Sequence, residues 1–195
     1  MKVIMLLLSV TLLGAFQTAR AAEPVAREPA ATNESPVAKP PPVTRELALA
    51  AVAMLETNAA SNAGVEAANE IIRFARESKA VTITLNPYTV PWAPSKALEN
   101  EVAVRLLLLA AYIGGDAKAQ LLAQTTADDP YAGWQLLIDV YRQIRQKKPA
   151  VTIPEIDALA EKQKKGELKQ YADEIKNKKP TPQHPLPSSG NAARP

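Results

Sequence analysis

The placement of prolines constrains this chain more than any other feature, because each one removes a backbone donor and biases its predecessor away from the helical region. Of 17 prolines, six fall in residues 22–43 and five in residues 177–195. The first stretch sets them among alanine, glutamate and small polar residues with almost nothing large to bury, and the second adds Ser188, Ser189, Gly190 and Asn191. Both read as disordered, the first as a linker partly in polyproline conformation. The other six prolines punctuate residues 44–176 and leave long stretches between them free of breakers. Those 133 residues suffice to remove roughly 65–70% of the unfolded surface from water in one core.

Residues 1–21 read as a secretory signal peptide. Lys2 gives a positive start, residues 3–16 are a mostly apolar run, and Ala19-Arg20-Ala21 offers small residues for cleavage. The run is too short to span a membrane, and residues 102–111, interrupted by Arg105, make only about half of a span. The expected mature chain is therefore exported, periplasmic or secreted, without a transmembrane span. The formal charge of +3 falls to +1 when Lys2 and Arg20 leave with the signal, so an electrostatic case for nucleic acid disappears.

Between the tails the dominant period is helical. Thr44 caps a helix with Leu47, Ala51, Met54 and Leu55 on one face, ended by the polar run 57–62. A second helix over about 64–78 turns Val65, Ala68, Ile71, Ile72 and Ala75 inward. Residues 81–85 alternate like a strand, but a lone strand is marginal and is expected to lie as an extended segment on helices. Three prolines make 86–94 a loop. A third helix starting at Ser95 is expected to end at Gly114-Gly115, with a short fourth capped by Asp116 and running to about Gln124. Asp129-Pro130 reads as cap and first helical residue of a fifth that stops before Pro149. Thr152 and Glu155 fit a capping box for a sixth running to about Lys176, kinked or split at Gly166. The prediction is all-α: a single helical bundle or helical-hairpin array of about six helices, with one extended segment and a proline-rich loop. No repeat of 30–45 residues recurs in residue identity. The apolar and alanine patterning of 99–141 resembles the paired helices of tetratricopeptide-like solenoids, but their diagnostic Trp, Leu-Gly and Tyr spacing is absent, so no family follows.

The absence of cysteine removes disulfides, zinc-thiolate sites and thiol catalysis. The one histidine, His184, lies in the proline-rich tail with no shell to aim it. No glycine-rich phosphate loop occurs, because Gly114-Gly115 follows a helix rather than opening one. Carboxylates alone can hydrolyse glycosides, and Asp128, Asp129, Glu99 and Glu101 are candidates, although helix capping and the helix dipole explain them more simply. No metal, cofactor or catalytic site is expected.

The expected binding residues are Tyr88 and Trp92, in the proline-restrained loop, where the alternative is that Trp92 closes the bottom of the bundle as core, and Arg142, Arg145, Lys147 and Lys148, at the end of the fifth helix. Tyr131, Trp134, Ile138 and Tyr141 share one face of that helix and read as core. Charge is uneven, with residues 22–141 at −5 and residues 142–180 at +5. Three functions are compatible with this pattern. The first is a non-enzymatic interaction protein of the cell envelope that docks on a protein partner as scaffold, adaptor or inhibitor. The second is a binder of anionic polymer or lipid headgroups through the basic face. The third is a carboxylate-dependent cell-wall hydrolase.

Overall fold

Two hydroxyl caps open the helical region. Thr44 Oγ1 accepts from Leu47 N at 3.3 Å to start α1 (Arg45–Asn58), and Ser61 Oγ accepts from Gly64 N at 3.0 Å to start α2 (Asn62–Glu77). The computed structural model describes residues 41–176 and 178. The expected signal peptide, most of the linker, His184 and the rest of the carboxy-terminal tail lie outside the described residues. Within them α3 (Val102–Ala123), α4 (Pro130–Lys147), α5 (Pro154–Lys164) and α6 (Leu168–Lys176) follow, with a 3₁₀ turn at Lys96–Leu98. The architecture is all-α with six helices, as the periodicity predicts, but the helices are divided differently.

The expected third and fourth helices are one from Val102 onward, and Ser95 opens only the 3₁₀ turn instead of the long helix expected from it. Gly114-Gly115 does not stop α3, because both glycines serve packing. A Cβ on Gly115 would stand 2.4 Å from the Ala132 carbonyl oxygen, and one on Gly114 3.1 Å from Val52 Cγ2. Asp116 is accordingly no cap and lies fully buried inside the helix. The uninterrupted α3 is long and apolar enough to cross a membrane by length and composition, at mean hydropathy 1.3, which residues 102–111 alone do not reveal. Here 67% of that stretch is buried inside the fold, as in the core helix of a packed domain. It packs most extensively on α4, then on α2 and α1.

The expected sixth helix is two. Gly166, at φ +77°, breaks it with open space around its α-carbon, so α5 and α6 pack on each other and on α4. The cost there is conformational, and Gly166→Ala is expected to destabilise by about 1 kcal/mol through the left-handed backbone alone. Chemical denaturation of that single variant checks it; an unchanged midpoint would show that the turn refolds without the glycine. The capping box does not form either. The cap residue is Ile153, whose side chain is fully buried and whose N–H donates to the Tyr141 hydroxyl at 2.8 Å, so tertiary anchoring sets this start one residue later than Thr152.

Residues 81–85 form no sheet, and side chains satisfy their backbone: Thr82 N and O pair with the Gln120 amide, Thr84 N with Asp128, and Thr84 O with Thr89 Oγ1. Val81 is buried with Phe74, Ala117 and Leu121 in a small secondary cluster. On α1 the buried face is Ala48, Ala51, Val52 and Leu55, whereas Leu47 and Met54, expected inside, are 56% and 36% exposed. The main core gathers α1 to α6 around Leu108, Tyr112, Trp134, Ile138 and Tyr141.

Candidate functional site

The six expected binding residues separate into three environments. Trp92 is a correction: it is fully buried in the main core. The prolines of its loop set a chain of tight turns, Ala93 N to Val90 O and Ser95 N to Trp92 O, that folds the indole inward instead of displaying it. Tyr88 is half-buried against the same core, with Lys178 Nζ 5.8 Å from its ring centroid. The Asn86 carboxamide oxygen holds this turn by accepting from Tyr88 N and Thr89 N at 2.8 and 3.0 Å.

The basic residues of α4 are exposed, but most are already engaged. Arg142 donates to Asp139 at 2.8 Å and to Gln163 at 2.9 Å. Arg145 donates to Asp157 at 3.3 Å and lies over the Tyr141 ring. Lys148 donates to Glu101 at 2.6 Å. Among the described residues only Lys147 of these four has no partner. Sequence distance hides this pairing, since Glu101 is 47 positions from Lys148. The charge run is thus largely neutralised where it stands, each exposed pair contributing about 0–1 kcal/mol to stability.

A surface that charge and aromatic counting does not find lies where α3 and α4 run side by side. Gly115, Ala119 and Leu122 recur at spacings of four and three on α3, and Ala132, Gln135 and Leu136 face them from α4. Together they line an open groove of about 510 Å³. Small residues make its floor, and Leu122, 62% exposed, stands at its edge. Its charged lining is the ion pair of Lys118 with Glu56 and Asp139, which is bonded to Arg142. The available sequence signal was a second polar-apolar stripe on each helix, masked because the core stripe is much stronger.

Three of the four carboxylates considered for hydrolysis have structural partners. Asp129 Oδ1 caps α4 through Ala132 N at 3.3 Å, Asp128 holds Thr84 N at 2.8 Å, and Glu101 pairs with Lys148. Asp116, which patterning assigns to a helix cap, is the most perturbed: burial first, then the neighbouring Asp128 carboxylate, push it up to about 8. Burial also raises the Tyr112 phenol, with Asp128 and Asp116 adding to the effect. No cluster of three or more candidate metal ligands occurs among the described residues. Compared with protein-family models, curated proteins and solved structures, the chain matches none.

Proposed function

We propose that this chain is an exported, non-enzymatic helical interaction protein of the cell envelope that receives an amphipathic helix of a protein partner in the α3–α4 groove. The observation that carries this reading is the groove itself, lined mainly by small and apolar side chains of two helices together with the charged Glu56, Lys118 and Asp139. Such a shape suits a helix that lays one apolar face between two others and meets charge at its flanks. The basic-face alternative has less support, because Arg142, Arg145 and Lys148 already hold acidic or amide partners within the fold. A hydrolase has less again, since Asp129, Asp128 and Glu101 are engaged in capping, backbone support and ion pairing.

A photoreactive residue placed at Leu122 or, separately, at Lys147 in the full chain tests the assignment in intact envelopes. Protein adducts are expected from position 122, and Leu122→Arg is expected to weaken capture of the same partner about tenfold or more through lost apolar burial and added charge. Adducts arising only from position 147, with lipid or glycan, would transfer the function to the basic face.

A further inference from the structure

Asp116 lies in the middle of α3 and is fully buried. Its Oδ1 accepts from Gln120 Nε2 at 2.7 Å and from Asp129 N at 2.8 Å. Its Oδ2 is shut off from solvent and has no donor. The neighbouring Asp128 carboxyl, which raises Asp116, is already an acceptor for Thr84 N at 2.8 Å. Asp116 is out of water while Asp128 is partly open to it, so the buried Asp116 Oδ2 stays unsatisfied, with a like charge beside it, unless Asp116 carries a proton.

We propose that Asp116 and Asp128 share one proton, donated from Asp116 Oδ2, and that this proton closes a clasp holding residues 81–85 on α3. The bonds that hold Thr82 and the Thr84 N–H run through the pair. Gln120, oriented by Asp116, takes Thr82 N at 2.9 Å and gives to Thr82 O at 2.7 Å. Asp128 takes Thr84 N. The same Asp116 oxygen that holds Gln120 also holds Asp129 N, which fixes the entry into α4, so one carboxyl ties the segment, α3 and the α4 start together.

The surrounding charges favour the proton. Tyr112 faces the pair from the preceding turn of α3, and its hydroxyl donates weakly to Thr84 O at 3.5 Å. Asp129 adds a third carboxylate, with Lys176 of α6 paired to it at 3.9 Å rather than to Asp116. Lys178 lines the same shallow cavity as Asp128 but is exposed. Burial and Asp128 outweigh the opposing bonds from Gln120 and Asp129 N and raise Asp116 from its ordinary 3.8 to about 8. Because the folded value lies above the unfolded one, the acid is protonated when folded and ionised when unfolded across that interval. The clasp's contribution is therefore complete below about pH 4 and is lost as pH rises through about 8.

Carboxyl-carbon NMR of the full chain reads the pair directly. The Asp116 carboxyl signal is expected to titrate more than two pH units above that of an exposed aspartate, with the Thr82 and Thr84 amide signals moving at the same midpoint. Asp116→Asn supplies a permanent N–H toward Asp128 and keeps an acceptor for Gln120 and Asp129 N. Its melting temperature should lose the wild-type fall between about pH 4 and pH 8 and equal or exceed wild type at the alkaline end. Asp128→Asn removes the facing carboxylate and offers Asp116 a donor while burial, the larger cause, stays, so the Asp116 midpoint should drop by about one pH unit or more. An Asp116 signal that ionises with the exposed aspartates, or an Asp116→Asn variant that melts lower at every pH with the wild-type slope retained, overturns the shared proton.

Discussion

Replacing Gly115 by valine is expected to abolish the folded state, and replacing it by alanine to cost about 3 kcal/mol or more. The reason is the distance at which α3 and α4 cross. An added Cβ would stand 2.4 Å from the Ala132 carbonyl oxygen and 3.0 Å from Gly133 Cα, both backbone atoms of the facing helix. A clash with a flexible side chain can be relieved by a rotamer change, but a clash with helical backbone moves the helix. Gly133 faces Tyr112 in the same crossing, where a Cβ would meet the ring at 2.8 Å, so both helices rely on a glycine for this close approach. Thermal unfolding followed by circular dichroism checks this. A drop of about 10 °C or more is expected for Gly115→Ala, against a small change for Gly166→Ala. A Gly115→Ala variant that melts within a degree or two of wild type would mean that the helices are farther apart than described.

Trp134→Ala is expected to cost about 3–5 kcal/mol and to release α6 preferentially. The indole is fully buried, stacks on Tyr171 of α6 with centroids 5.3 Å apart, and donates from Nε1 to the Thr89 carbonyl at 2.8 Å. Among the helices, α6 packs only on α4 and α5, so this ring is a principal part of its attachment. The substitution leaves both a cavity and a buried carbonyl acceptor without its donor. Trp134→Phe keeps most of the ring area and loses the hydrogen bond, so a smaller loss of about 1–2 kcal/mol is expected. Limited proteolysis separates the effects: cleavage near Lys164 and Lys165 should accelerate in Trp134→Ala before the rest of the fold yields. Uniform cleavage throughout the chain would show that α6 is not held by this contact in particular.

Both predictions concern residues whose importance comes from the other side of a contact. Gly114-Gly115 reads in sequence as a stop because glycine weakens helices, and the tertiary fold reverses that reading because a second helix needs the space. Trp92 reads as a recognition residue because loop aromatics without helical period commonly are, yet the turns that its prolines impose send it into the core. Arg142, Arg145 and Lys148 read as a basic patch, and acidic or amide partners 3 to 47 positions away take up most of that charge.

Local chemistry was legible and nonlocal chemistry was not. The helical class, the caps at Thr44 and Asp129 and the break at Gly166 follow from interactions within a few residues, whose physics a sequence window contains. The merging of two expected helices into α3, the start of α5 at Ile153, the groove beside Leu122 and the burial of Asp116 against Asp128 depend on which helix lies opposite. Sequence alone determined an all-α domain of about six helices between proline-rich ends. Tertiary structure decided which surfaces remain open and which carboxyl loses its water, because close packing and desolvation depend on neighbours brought together only by the fold.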